Sequence, residues 1–195
     1  ARAFLPNGGL PGGSNAWVIS GARTYSGKPM LANDPHLVGR VPSVWYESRL
    51  VAQELDVKGA SFPGVPFIVI GSSPRVSWGI TNSYADTQDL YMERFSPEDS
   101  SLYETENGWG KVEVRRERIV VRGAEDHVEE VECTRHGPIL FRSKSMGLAL
   151  RWMNFEPSHP VQTLHGMNLA TNNSEFKEAL RTWQAPSSNF VFADA

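Results

Sequence analysis

The sequence predicts an α+β fold, in which layered antiparallel β-sheets carry one or two helices near the C-terminal end. Three observations support this. Most segments alternate apolar and polar residues or form short apolar runs, turns with Gly and Pro separate them, and one late segment has helical periodicity. Because strands follow one another without intervening helices, antiparallel pairing is expected. Layered sheets with flanking helices are the natural outcome.

The first half of the chain contains only β-type segments. The first two are joined by a Gly-rich turn and form a hairpin that leads into His36, and the third has a helix as its alternative. The predicted strands are residues 15–20, 30–34, 43–55, 67–71, 76–82 and 89–95.

The second half adds further strands, then a helix. Residues 111–123 alternate Val or Ile with charged residues, which indicates a half-exposed strand with a solvated charged face. Residues 127–140 and 147–155 continue the β pattern. Asn173 or Ser174 is predicted to cap a helix over residues 174–184, and a last strand follows Pro186.

Composition excludes several classes of protein. The 195 residues are 40% hydrophobic and 21% charged with a net charge of −3, which predicts neither a nucleic-acid nor an anionic-membrane partner. No apolar run is long enough to cross a bilayer. The single cysteine, Cys133, gives no disulfide framework. The missing initiator Met and the strand-like C-terminal residues are interpreted as signs of a segment from a longer chain.

The tripeptide Gly12-Gly13-Ser14 lies between a Pro- and Gly-rich stretch and the first strand. Residues 1–13 are therefore predicted to be the end of a linker. Cleavage of the Gly13–Ser14 bond would free the α-amine of Ser14. That amine has a pKa of about 7.7–8.0 and could act as base for the hydroxyl of the same residue. Gly13, without a Cβ, would leave its carbonyl open to attack by Ser14.

Two alternatives remain open from the residues alone. Ser14 could belong to a conventional serine hydrolase with His36 or His136 as base, although the nucleophile-elbow motif is absent around it. The chain could also be a non-enzymatic β-rich binding or structural domain, in which Ser14 is a loop residue.

Four separated segments resemble the catalytic chain of the penicillin acylase family of N-terminal nucleophile hydrolases. The resemblance extends from Gly12 to Asp194, in the family's order. The segments are SNAWVISGARTYSGKPMLANDPHL from Ser14, FPGVPFIVIGSSPRVSWGITNSYADTQDLYMERF from Phe62, TRHGPIL from Thr134 and SNFVFAD from Ser188. The resemblance implies a fragment of an αββα sandwich, with residues 14–195 as the N-terminal part of the catalytic domain.

The resemblance also implies residue roles. Ser14 matches the nucleophile, and Gly13 the residue before the autocatalytic cut. Asn82 matches the position whose backbone N–H is one oxyanion donor, and Asn189 the asparagine whose amide is the other. His36 matches a position beside the nucleophile that is histidine in cephalosporin and acyl-homoserine lactone acylases.

Ligand and partner expectations follow from the same resemblance. Asp86, Gln88 and Asp89 resemble part of a structural calcium site, with no cofactor required for the chemistry, and Phe67 is a candidate for the acyl pocket. The implied substrate is a small amide, such as a β-lactam antibiotic side chain or the N-acyl homoserine lactone of quorum-quenching acylases. An upstream α subunit of the same precursor (a zymogen) and a periplasmic or secreted location are also implied. The fragment alone is expected to be inactive.

Overall fold

A computed structural model describes residues 13–37 and 39–194, so most of the predicted linker, residues 1–12, lies outside the described residues. The chain divides into two compact units, one formed by residues up to Ala85 and from Pro157 onward, the other by residues 86–156. They are called the first and the second unit.

The described residues form mostly strands, as predicted. In chain order these are β1 (Gly13–Ile19), β2 (Met30–His36), β3 (Tyr46–Val51), β4 (Asp56–Ser61), β5 (Ile70–Ser72), β6 (Val76–Asn82), β7 (Gln88–Arg94), β8 (Leu102–Thr105), β9 (Gly108–Lys111), β10 (Glu113–Ile119), β11 (His127–Thr134), β12 (Gly137–Arg142), β13 (Met146–Trp152) and β14 (Ser188–Asp194). The helices are α1 (Pro160–Leu169) and α2 (Asn173–Leu180). The segment predicted over residues 43–55 is divided between β3 and the turn before β4.

The first unit is built on an antiparallel sheet with the strand order β14-β6-β5-β4-β3, and β1 and β2 form a separate hairpin. Its core contains the fully buried Trp78 of β6 and Phe176 of α2, whose ring centroids lie 5.8 Å apart. The Trp78 indole N–H donates to the carbonyl of Val69 at 3.0 Å, so this large side chain is buried without leaving a polar atom unsatisfied.

Helix α2 begins where the sequence places a cap, but one residue earlier than predicted. Asn172 is the N-cap, and its Oδ1 accepts from the Glu175 N–H at 3.0 Å. Glu175 reaches back and accepts from the backbone N–H and the hydroxyl of Thr171, in the manner of a capping box. These donors, the backbone N–H first, lower the pKa of the Glu175 carboxyl.

Helix α1 was not specified from the sequence. It begins at Pro160 after His159, whose side chain makes no cap hydrogen bond. Its buried Asn168 joins it to the chain before β5, since the amide accepts from the Ile68 N–H and donates to the Ile68 carbonyl, both at 2.9 Å. Neither helix of the described residues has the length and apolar character of a membrane span.

The second unit is an antiparallel sheet with the order β10-β11-β12-β13-β7 and a small hairpin of β8 and β9. Glu93 is buried there and accepts from the Thr134 hydroxyl at 2.6 Å, while His136 Nδ1 lies 2.8 Å from the same carboxyl oxygen. The Tyr91 ring stacks on His136. Burial raises the pKa of the Cys133 thiol, so this thiol is poorly suited to be a nucleophile.

The Trp78–Phe176 contact gives a stability prediction. Replacing Phe176 by Ala in the full-length protein should lower the free energy of unfolding by about 3–5 kcal/mol, because it leaves a cavity in the core. Urea unfolding measures this. Lys177→Ala, at an exposed position of the same helix, is the control and should change it by less than about 0.5 kcal/mol. Equal effects of the two variants would contradict the assigned core.

Candidate active site

Ser14 lies on β1 directly opposite Pro35 of β2, and Gly13 lies opposite His36. Because side chains alternate across a strand, Ser14 and Pro35 share one face of the hairpin, whereas His36 belongs to the other. The connection between these strands, residues 20–29, contains a 3₁₀ turn at Gly21–Arg23 and a Gly27 with φ of 71°, and it reverses the chain so that β1 and β2 pair. The hairpin therefore presents the hydroxyl on one face and the histidine on the opposite face.

A cavity of about 220 Å³ adjoins Ser14. Apart from Ser14, its polar lining residues are Asn82 and Ser188, and the remainder are apolar or aromatic. The Trp45 and Phe62 rings stack within this wall with centroids 4.3 Å apart. The apolar and aromatic lining residues are Pro35, Leu37, Trp45, Phe62, Val69, Ile80, Trp183 and Pro186. Such a space suits the hydrocarbon or aromatic part of a ligand.

Asn82 is the last residue of β6. It lines the cavity and lies opposite Ser188 of β14. The structure thus brings Ser14 and Asn82, both predicted from the sequence, to one cavity. A hydroxyl nucleophile and a backbone N–H at the end of a strand are the groups that acyl transfer requires.

Asn189 lies one residue further along β14, opposite Thr81. Strand alternation turns its side chain to the sheet face opposite that of Ser188, and its Nδ2 donates to Thr81 Oγ1 at 3.2 Å. Asn189 is not among the residues that line the Ser14 cavity. Its oxyanion role stays a prediction.

His36 lies beside the residue before the predicted cut. Its Nδ1 is 3.7 Å from the position that a Cβ on Gly13 would take, and its Nε2 lies 2.8 Å from Asp34 Oδ2. Both side chains are exposed, 46% for His36 and 73% for Asp34. The contact with Asp34 orients the imidazole with its other nitrogen toward Gly13.

Phe67 is placed away from the residues that line the Ser14 cavity. It lines two other grooves, and its ring packs on His165 of α1 with centroids 5.2 Å apart. The aromatic side chains that do line the Ser14 cavity include Trp45 and Phe62. The acyl-pocket role of Phe67 stays a prediction.

Gln88 and Asp89 begin β7 in the second unit, Asp86 lies in the segment just before it, and all three are exposed. Within residues 13–37 and 39–194, no group of three or more His, Cys, Asp or Glu side chains could hold a metal ion. Calcium takes six to eight oxygen ligands, so these three residues could supply only part of a site.

Asn33 is a residue of the site that the sequence did not reveal. Its amide Nδ2 donates to the carbonyls of Asn15 and Ile80, at 2.9 and 3.0 Å, and its Oδ1 accepts from the Ile80 N–H at 2.9 Å. These bonds join β2 both to β1 and to β6. Only the three-dimensional contact over 47 residues reveals this role.

The family model described as penicillin amidase matches residues 1–195, which is the whole chain. The chain belongs to the penicillin amidase family.

Relatives of this penicillin amidase family member carry acylase names. An acyl-homoserine lactone acylase of Pseudomonas fluorescens, QuiP, is 33% identical over 189 residues, covering 93% of this chain and 23% of the relative. The penicillin acylase 2 proenzyme of a Pseudomonas species is 34% identical over 187 residues, covering 94% of this chain and 24% of the relative. The chain thus spans about a quarter of the length of these relatives.

The fold is shared with a solved family structure. A thermostable penicillin G acylase from Alcaligenes faecalis matches with a TM-score of 0.78 and 27% identity, over 92% of this chain and 33% of that chain. This match, together with the antiparallel sheets and helices, confirms the predicted α+β fold of the N-terminal nucleophile hydrolase type.

Proposed function

We propose that the protein to which this chain belongs is an acylase that hydrolyses a linear amide bond, with Ser14 as its nucleophile. The observation that carries the proposal is the shared cavity, where Ser14 and Asn82 meet an apolar and aromatic wall. The family and the acylase names of the relatives support the same reaction.

We propose that maturation cuts the chain before Ser14. The Ser14 hydroxyl attacks the Gly13 carbonyl carbon, the C–O bond forms, the C–N bond breaks, and the nitrogen takes a proton to become the α-amine of Ser14. Water then hydrolyses the resulting ester, which gives the Gly13 carboxylate and restores the hydroxyl. His36 lies beside Gly13 and is suited to proton transfer in this step.

In turnover, the free Ser14 amine takes the hydroxyl proton as the oxygen attacks the substrate carbonyl. Both groups belong to one residue, so covalent geometry positions them. The Asn82 N–H would stabilise the oxyanion, a contribution of about 3–4 kcal/mol for one well-placed donor. The protonated amine then gives its proton to the leaving amine, and water releases the acid from the acyl-enzyme.

The cavity supports an uncharged acyl group. None of its lining residues carries a charged side chain, and aromatic and branched apolar side chains form most of its wall. Phenylacetyl-type groups and fatty acyl chains both fit this chemistry. The relatives are named for penicillin and for acyl-homoserine lactones, and both classes belong in the substrate panel.

The activity is proposed for the whole protein, because the chain spans about a quarter of its relatives. We propose that a further subunit from the same precursor completes the substrate site, consistent with the word proenzyme in one relative's name. A calcium ion at Asp86, Gln88 and Asp89 and a periplasmic or secreted location stay proposals. Isolated residues 1–195 should show little or no turnover.

A conventional serine hydrolase is the rival, with His36 or His136 as base. His36 belongs to the hairpin face opposite Ser14, and His136 is held by Glu93 in the second unit. A non-enzymatic domain is the other rival. The penicillin amidase family and the acylase names of the relatives favour an enzyme over a non-enzymatic binding or structural domain.

Ser14→Ala tests the nucleophile in the full-length protein. Both self-cleavage and turnover should be lost, because the variant has neither attacking atom nor proton relay. Mass spectrometry should show a new chain beginning at Ser14 in the wild type alone. Turnover is measured on penicillin G, penicillin V, glutaryl-cephalosporin and N-acyl homoserine lactones of several lengths.

Ser14→Cys is the matched control, since its thiol can still attack and should retain cleavage. A wild-type protein that turns over amides with the Gly13–Ser14 bond intact would overturn the proposed mechanism.

Asn189→Ala tests the second oxyanion donor. An oxyanion donor would lower kcat by about 100- to 1,000-fold when removed, whereas the placement opposite Thr81 predicts a change within about threefold. The resemblance predicts the large loss and the hydrogen bond to Thr81 predicts the small change, so kcat decides between them. Thr81→Val removes the same hydrogen bond from the other side and is the matched control. A large loss confined to Asn189→Ala would establish the oxyanion role.

Leu37→Ala tests the apolar wall. Loss of this side chain should lower kcat/KM for a short acyl group by about tenfold, the usual effect of lost hydrophobic contact. Val41→Ala is the control, since Val41 is fully exposed and does not line the cavity. Equal kinetics for the two variants across the substrate panel would argue against this wall as the acyl site.

A further inference from the structure

The Asn33 side chain bonds the backbone of two strands at once. Its Nδ2 uses both hydrogens, one on the Asn15 carbonyl and one on the Ile80 carbonyl, and its Oδ1 accepts from the Ile80 N–H. The amide thereby pairs with both the C=O and the N–H of Ile80, as the backbone of a neighbouring strand would.

Strand β6 needs such a partner at this point. On the side away from β14, β5 pairs with β6 at Trp78 and Ser77 and reaches no further within the described residues. Buried backbone groups require hydrogen bonds, and Asn33 supplies those of Ile80. The approach requires glycine next to Ile80, because a Cβ on the buried Gly79 would lie 2.8 Å from the Asn33 Cβ.

The two strands so joined carry the reacting groups. Asn15 directly follows Ser14, and Ile80 stands two residues before Asn82. We infer that Asn33 is a positioning residue, which sets Ser14 against the Asn82 N–H through one amide. This inference rests on the proposed function. A misplacement of about 1 Å can cost about 100-fold in rate, so a loosened amide should affect chemistry rather than binding.

A second asparagine provides a matched control. Asn168 makes the same pair of hydrogen bonds to Ile68, and it is 2% exposed, but it contacts neither β1 nor β6 through them. Its substitution should destabilise the first unit by removing an equivalent pair of side chain–backbone hydrogen bonds, and these bonds do not involve the strands that carry Ser14 and Asn82.

The test compares Asn33→Ala and Asn33→Asp with Asn168→Ala and Asn168→Asp in the full-length protein. We would measure thermal unfolding, the fraction of chains cleaved before Ser14, and the kcat and KM of the cleaved enzyme. Substitutions at either asparagine should lower Tm. Asn33 variants should also lower kcat at least about tenfold with KM within about threefold, whereas Asn168 variants keep kcat within about threefold.

Equal kcat per folded enzyme in the two series, or a lowered Tm with unchanged kcat at Asn33, would overturn the inference. If the Asn33 variants fail to fold, Gly79→Ala disturbs the same contact from β6 and should give the same loss of kcat, and an unchanged kcat would count against the inference. The wild type in the same assay separates the two hypotheses. A cleaved and active wild type leaves the proposed function standing whatever Asn33 does, whereas an uncleaved and inactive one overturns both.

Discussion

The side-chain amide of Asn33 joins β2 to the backbone of β6, and this is the constraint on which we infer that the site depends. A sheet strand whose neighbour ends early must find partners for its N–H and C=O groups. Here β5 is short, and the Asn33 side chain rather than another strand bonds the N–H and C=O groups of Ile80. The same amide also holds the Asn15 carbonyl, so one side chain bonds both to its partner strand in the hairpin and to the main sheet.

Once the hairpin is attached, strand alternation determines which residues can meet. Ser14, Pro35 and Leu37 line the cavity, while Asp34 and His36 pair on the other face. The arrangement places the serine in an apolar space and leaves the histidine in solvent, beside Gly13. This separation fits the distinct tasks proposed for the two residues, amide turnover for Ser14 on one face and proton transfer during maturation for His36 on the other.

Local pattern was enough to predict most strands, the α+β class and helix α2, because alternation, turns and a capping asparagine are signals within a few residues. Helix α1 lacks a side-chain cap and begins at Pro160, so its start gave no such signal. The roles of Asn33 and Gly79 depend on a contact between distant segments, and no periodicity encodes it. The oxyanion role predicted for Asn189 rests on the resemblance alone, and local pattern does not show which face of β14 its side chain takes.

The hydrogen bonds of Asn33 lie on the C-terminal side of the proposed cut. The Asn33 amide holds β1 at the Asn15 carbonyl, downstream of Ser14, so breaking the Gly13–Ser14 bond would leave this attachment in place. Opposite Ser14 stands Pro35, which has no N–H to donate. The Ser14 carbonyl therefore receives no backbone hydrogen bond from Pro35, and the Asn33 bond to the neighbouring Asn15 carbonyl is the contact that holds this end of β1. A cut before Ser14 would thus leave the proposed nucleophile attached to the hairpin through the next residue along the chain.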